Sequence, residues 1–412
     1  MNMNKHRQFA HPIAIFFLTL PYGISSGFVS VTLPFILVQH GFSVAAAAAI
    51  TAVGLSSNLW RFAWAPLTDL TLSLHKWYII GIAMCAISLF SLVFVPLAVA
   101  YSRILMSVVF VSQVAATFVF APVGGFMAKS IEEGKKGRAA GYAQAGNMGG
   151  VGFGGGAGIW LASHLSFEAS CTIVSVIMLL CTCALYFVPR LQSDKTQSLL
   201  RGFQSTALGV KDLLRSRVGI FTALMVMTPI GAGAAGYMWS SVADDWRVPT
   251  DTVALVTGVL SGLVSTIGCI IGGWVADKRG RWWGYFGAGS LMALVTLVMS
   301  LAPFSPLSFV SGVLCYALLM GVANAAFCAA LLRAIGTHLA ATKYALLSSL
   351  GNLGAVYMIF FNGWLHDTYN IRAMLLGETL IGIAFVVVFL SALFWFKVVD
   401  KLVVDHSLIT SE

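Results

Sequence analysis

The chain has 412 residues, of which 58% are hydrophobic and only 9% charged, with a formal net charge of +9. An ordinary soluble domain is about 25% charged, and the mean hydropathy here is +0.89, so water is excluded as the solvent for most of this surface. The basic residues are scattered over seven separate segments rather than gathered on one face, which argues against a nucleic-acid partner.

In lipid every backbone polar group must be paired internally, which leaves helices or closed barrels. The apolar runs are continuous rather than alternating, so helices of about 20 residues are expected. After Lys5 and Arg7 the first apolar run, Pro12 to Val38, is too long for a signal-peptide core and reads as a first span. The following spans are expected near 44–68, 77–99, 103–128, 139–163 and 168–188. A basic, Ser- and Gln-bearing stretch, Pro189 to Arg217, separates them from spans near 218–243, 251–275, 282–302, 306–332, 343–365 and 372–397. Trp282 to Leu332 has 51 residues without Asp, Glu, Lys or Arg, interrupted by Pro303 and Pro306, which fits two helices and a tight turn. The fold class expected is therefore all-α membrane, with twelve transmembrane helices in two pseudo-symmetric bundles. Residues 1–188 form the first half, 189–217 the linker and 218–412 the second half.

Twenty of the 24 Lys and Arg fall on segments that share a side with the N-terminus. Arg103, Arg247 and Arg372 lie opposite, and Arg61 is inside the second span. This bias predicts an inner-membrane protein with both termini in the cytoplasm. An internal repeat supports the two halves: Arg138 to Gly149, with Gly146-Asn147-Met148-Gly149, matches Lys343 to Gly354, with Gly351-Asn352-Leu353-Gly354, at an offset of 205. Repeated halves with a site at their interface are the plan of alternating-access carriers. The seven cysteines all sit in apolar segments without metal-ligand spacing, so no metal site and no cofactor are expected. The eight histidines lie at loops and span ends, which speaks against a membrane-embedded enzyme.

Gly272-Gly273-Trp274-Val275-Ala276-Asp277-Lys278-Arg279-Gly280-Arg281 resembles the cytoplasmic loop signature of the major facilitator superfamily. The first-half copy, Ala65-Pro66-Leu67-Thr68-Asp69 with His75-Lys76, keeps only the Asp. The resemblance implies a gating role for Asp69, Asp277, Arg279 and Arg281, because an Asp at a helix end latches basic residues of the next turn. Asn58-Leu59-Trp60-Arg61-Phe62-Ala63-Trp64-Ala65-Pro66-Leu67-Thr68-Asp69 is similar to a run found in muropeptide permeases and acetyl-coenzyme A transporters, with Arg61 where that run has lysine. Siderophore-uptake permeases share this character. Muropeptide permeases carry acids in the fourth helix, whereas this chain reads Gln113 to Pro122 with none.

Arg61 lies eight residues before Asp69, about 12 Å along a helix. A guanidinium at that depth suits the carboxylate or phosphate of a substrate, or a structural partner near the gate. Glu378, six residues beyond Arg372 in the last span, is the candidate for carrying a coupling proton, or pairs with Arg372. Asp244 and Asp245 read as solvated helix-end acids. Gln113, Gln144, Asn147, Asn324 and Asn352 are polar residues seeking partners within spans, on another helix or on a substrate. Tyr22, Tyr142, Trp239, Tyr316 and Tyr357 line a cavity or pack as span aromatics. The eight glycines between Gly146 and Gly158 suit close helix approach, and no phosphate loop.

The expected function is secondary active transport, proton-linked or otherwise gradient-driven, of a polar, anionic, medium-sized solute resembling a muropeptide or a siderophore. The expected partners are that small molecule and the lipid bilayer, with the chain a monomer. An efflux carrier of the same superfamily is the alternative, and a channel or non-transporting receptor the remote one.

Overall fold

Ser43, Ser73 and Ser166 each take an extended conformation and accept a hydrogen bond from the amide three residues on, so each caps a helix after a tight turn. Such turns fold the apolar runs back on one another. The computed structural model describes residues 10–11, 13–131, 136–189, 217–279, 281–334 and 340–396, with short pieces at 203–204, 207–209, 211–212 and 215. Most of the linker expected at 189–217 therefore lies outside the described residues, as do the side chains of Asp69, Asp277, Arg279 and Arg281.

Every regular element among the described residues is helical. In chain order the rods of the first half are α1 (Ile13–Gln39), α2 (44–70), α3 (Leu74–Phe94), α4 (Ser102–Ser130), α5 (136–164) and α6 (Phe167–Phe187). Those of the second half are α7 (Arg217–Val226), α8 (250–279), α9 (Arg281–Leu301), α10 (Pro306–Ala334), α11 (Ala340–Thr368) and α12 (Ile371–Phe396). Among the described residues nine are long and apolar enough to cross a membrane by length and composition. The others are α2, interrupted by a tight turn at Ser57–Leu59, the glycine-rich α5, and the short α7.

Within the first half α1 packs on α4 and α5, and α3 on α4 and α6; within the second, α8 and α9 pack on α10, and α12 on α9 and α11. The halves meet along two seams, α2 against α11 and α5 against α8. The chain order places the starts of α2, α8 and the ends of α5 and α11 at one end of the bundle, here the far end. The start of α1 and the ends of α2, α4, α8 and α10 lie at the opposite, near end.

The seams are close because side chains are missing. A Cβ added at Gly258 of α8 would collide with the backbone of Gly156 in α5, and one at Gly363 of α11 would lie 2.9 Å from the Ala45 Cα of α2. Wide, π-helical turns occur at Phe28–Thr32, Phe153–Ala157 and Ala254–Leu260, and they pack together where α1, α5 and α8 meet. A wide turn frees carbonyls from the regular ladder. Thr32 Oγ1 reaches across to the Gly154 and Gly155 carbonyls at 2.8 and 2.9 Å, and Ser261 Oγ donates to the Val256 carbonyl at 2.7 Å.

The seventh span departs from its expected continuous form. α7 stops at Val226, and the chain continues through turns and short tight-helical pieces to Thr250. Pro229 cannot donate to a ladder, and Gly231 and Gly233 take left-handed φ values of 68° and 69°. At Gly233 a Cβ would lie 2.6 Å from Met320 Sδ and force that side chain to shift, while the left-handed φ itself favours glycine.

Replacing Thr32 with Val keeps shape but leaves two buried carbonyls without their hydroxyl. The expected cost is about 1–3 kcal/mol, read as a lower Tm of the detergent-solubilised protein, with Thr32→Ser close to the parent. An unchanged Tm for Thr32→Val would show that the carbonyls do not depend on this bond.

Candidate functional site

Two polar clusters stand out inside the bundle. The first lies on the α2–α11 seam. The tight turn ending at Leu59 restarts the helix at Arg61, which aims this residue across the seam. Arg61 Nη2 donates to Ser348 Oγ of α11 at 2.9 Å, and the guanidinium stands 5.6 Å from the Phe120 ring centroid of α4. No carboxylate pairs with Arg61 among the described residues. Tyr22 of α1 packs on the same Phe120 ring at 4.8 Å, and its hydroxyl donates to Asn58 Oδ1 at 3.3 Å. Asn352 donates to the Ser348 carbonyl at 2.8 Å. The structure thus gathers Tyr22, Arg61 and Asn352, and adds Asn58, Phe120 and Ser348.

The second cluster lies within the second half, beside the break in α7. Glu378 of α12 accepts from the Tyr316 hydroxyl of α10 at 3.0 Å and from Asn362 Nδ2 of α11 at 2.6 Å. Tyr316 and Asn362 are 1% and 0% exposed, so these donors are committed to the carboxyl group. No basic group pairs with Glu378 among the described residues. Arg372 stands instead over the Phe304 ring at 5.2 Å. The buried Trp239 packs edge-on against Tyr316 at 5.4 Å, and its indole Nε1 has no hydrogen-bond partner among the described residues. Glu378 also lines a cavity of about 20 Å³ together with Pro229, Ile230, Gly233 and Gly289, room for one water-sized guest. Tyr357 donates to the Met227 carbonyl at 3.2 Å, where α7 unwinds.

The remaining candidates are placed elsewhere. Gln113 is 2% exposed in the first half and donates to the Ser25 carbonyl and hydroxyl at 3.3 and 3.0 Å. Gln144 is exposed on α5, while Tyr142, Asn147 and Asn324 are half-buried. The Asn147 backbone carbonyl is where a Cβ on Gly23 of α1 would collide. Asp69, Asp277 and Arg279 stand at the near ends of α2 and α8, and Arg281 at the start of α9.

Reading the sequence passed over Ser348, Asn58, Phe120 and Asn362, because a serine, an asparagine or an aromatic in a span carries no individual mark. One signal was available for the break: Thr228-Pro229 followed by Gly231 and Gly233 inside an apolar run.

Helical halves that meet at glycine-thinned seams, with polar clusters at and beside them, define a membrane carrier built on two bundles. The chain belongs to the Major Facilitator Superfamily, whose family model matches residues 15–358. Its fold is similar to the solved structure of the nucleoside transporter NupG, with a TM-score of 0.71 at 12% identity over 92% of this chain and 98% of that one. It is also similar to a D-xylose-proton symporter, with a TM-score of 0.68 at 14% identity over 92% of this chain and 96% of that one. No curated protein sequence matches the chain.

Tyr316→Phe removes one of the donors to Glu378 and is expected to cost about 1–3 kcal/mol. Tyr357→Phe, at a residue 36% exposed, should cost less. Thermal melts of the two variants in one detergent check the order; an equal or reversed order would show that the Tyr316 bond contributes little to the fold.

Proposed function

We propose that the chain is a secondary active carrier that moves a polar, anionic, medium-sized solute across the inner membrane by alternating access, with the proton as coupling ion. The observation that carries this reading is Arg61: a guanidinium on the seam between the halves whose hydrogen bond among the described residues goes to a neutral hydroxyl. A charge at such depth is costly unless a counter-charge arrives, and a planar guanidinium matches a carboxylate or phosphate. A solute bound there touches both halves at once, which is what alternating access requires. Muropeptide-like and siderophore-like compounds fit by charge. The basic bias of the near end supports cytoplasmic termini. The chain works as a monomer in this reading, with the boundary between halves in the 189–217 linker.

Glu378 supports the coupling. Its surroundings are neutral donors inside a hydrocarbon-embedded bundle, so neutralising it requires a proton or another cation. It sits beside the α7 break, the most irregular backbone in the second half.

A second reading is a neutral, polyhydroxylated solute of the nucleoside or pentose kind. It is favoured by the neutral polar groups Tyr22, Asn58 and Asn352 around Arg61 and by the fold shared with a nucleoside transporter and a D-xylose-proton symporter.

Uptake into proteoliposomes separates these readings. Arg61→Gln is expected to weaken an anionic solute by about ten- to a hundredfold, the worth of a charge-assisted hydrogen bond. Unchanged uptake would remove Arg61 from the site, and loss of a neutral sugar or nucleoside with anions ignored would establish the second reading. Glu378→Gln is expected to abolish accumulation driven by an imposed proton gradient while sparing exchange of solute between the two sides. Gradient-driven accumulation by the Glu378→Gln variant would end the coupling role.

A further inference from the structure

At the far end of the α2–α11 seam the two halves are tied by groups that the transport reading does not use. Asp367, in the last turn of α11, accepts from the backbone N–H of Ala45 at 3.0 Å. Ala45 belongs to the first turn of α2, next to its capping residue Ser43. A carboxylate from one half therefore closes the N-terminus of a helix from the other, where the helix dipole and free amides favour negative charge. His366, the preceding residue, has both ring nitrogens against carboxylates: Nε2 lies 2.9 Å from Asp245 Oδ2 and Nδ1 lies 3.2 Å from Asp367 Oδ1.

A neutral imidazole has one N–H and one lone pair, so it donates to only one of two carboxylates and turns a lone pair on the other. An imidazolium donates to both. The arrangement is thus complete only with His366 protonated. The three side chains are partly open to solvent, His366 at 17%, Asp245 at 33% and Asp367 at 26%, so bulk pH on the far side reaches them. The charged and titratable groups facing the ring are Asp245, from the segment after α7, and Asp367, from α11 itself. Among the described residues α2 and its cap contribute the Ala45 amide and the Ser43 hydroxyl, both directed at Asp367. Of the basic groups at this end, Arg372 of α12 stands over Phe304, and neither it nor Arg103 or Arg247 bonds to the ring among the described residues. Across the other seam His164 of α5 lies 3.7 Å from Asp251 of α8, but both are well exposed at 44% and 71%, and such pairs contribute little.

We propose that His366, Asp367 and Asp245 form the far-side latch of the carrier: the protonated histidine holds the Asp367 carboxylate on the N-terminus of α2, and its deprotonation lets the halves part at that end. The sign follows from the donor count. Below the histidine's titration the imidazolium bridges both carboxylates and the end stays shut. As pH rises one bond and the positive charge are lost, two carboxylates are left facing a neutral ring, and opening becomes easier. The latch stands independently of which solute moves and of the role of Glu378.

The test uses the full-length protein in lipid nanodiscs, with spin labels on cysteines placed at Leu165 and Leu307, which are exposed at the far end of the first and second halves. The exposed native Cys183 and Cys315 are replaced by Ser. Pulsed electron resonance then reads the distance between halves from about pH 5 to about pH 9. The expected result is a rise of roughly tenfold or more in the ratio of long to short distances with pH, the worth of a charge-assisted bond. His366→Gln should give a ratio that no longer changes with pH, and Asp367→Asn a ratio shifted toward the long distance at every pH. His164→Gln should keep the parent's pH response. Should Asp367→Asn not fold, Asp245→Asn serves in its place, with an expected loss of most of the pH response. A parent distance that ignores pH, or a His366→Gln response as steep as the parent's, overturns the proposal.

Discussion

The requirement that every backbone polar group in hydrocarbon find a partner inside the protein governs this molecule. It forces the apolar runs into helices, and it decides where helices are allowed to fail. Three of the failures seen here are repaired by a named side chain. The carbonyls of the wide turn in α5 are met by Thr32, that of Val256 in the wide turn of α8 by Ser261, and the last turn of α7 by Tyr357. Irregular backbone at membrane depth survives only when buried against protein, so the α7 break has to be surrounded by other helices. The polar group Glu378, Tyr316 and Asn362 beside it comes from three of them, α12, α10 and α11.

The second constraint is the absence of Cβ atoms where helices cross. Without a hydrophobic force between helices in lipid, close packing of small residues supplies much of the association. Gly146 and Gly150 of α5 lie against the carbonyls of Phe16 and Leu20 in α1, and Gly354 of α11 lies against Thr228 at the end of α7. The repeat at an offset of 205 is not kept contact by contact: Gly351, the counterpart of Gly146, faces the Phe327 ring of α10, and Gly149, the counterpart of Gly354, only brushes the Phe16 ring at 3.9 Å.

Much of this was legible in the residues. Continuous apolar runs, capping serines and the glycine motif are local signals, and they delivered the twelve rods and the two-bundle plan. Arg61 and Glu378 stood out because charge inside a span is rare. The partners did not stand out. Ser348 becomes relevant only once α2 and α11 are side by side, and Asn362 only once it faces Glu378. The alternative pairing of Glu378 with Arg372 is not formed: six residues along one helix put the two on different faces, and the arginine stands over Phe304. His366 read as an ordinary helix-end histidine, since the Asp245 that engages it is 121 positions away in the chain.

The α2–α11 seam carries two cross-half ties of different character. Arg61 meets Ser348 well inside the bundle, and Asp367 meets the Ala45 amide at the far end, about 24 Å away along α2. Between them the helices touch through alanines and Gly363, which offer no directional bond. Two rigid rods joined at two points part at one end by rotating about the other. Under the proposed latch, releasing Asp367 leaves the Arg61–Ser348 contact as a natural fulcrum, and under the proposed role of Arg61 a solute that displaces Ser348 weakens that fulcrum. The two proposals together link solute binding and far-end opening through one pair of helices, and any such coupling is reciprocal: a condition that loosens the latch changes solute affinity by the factor by which solute loosens the latch.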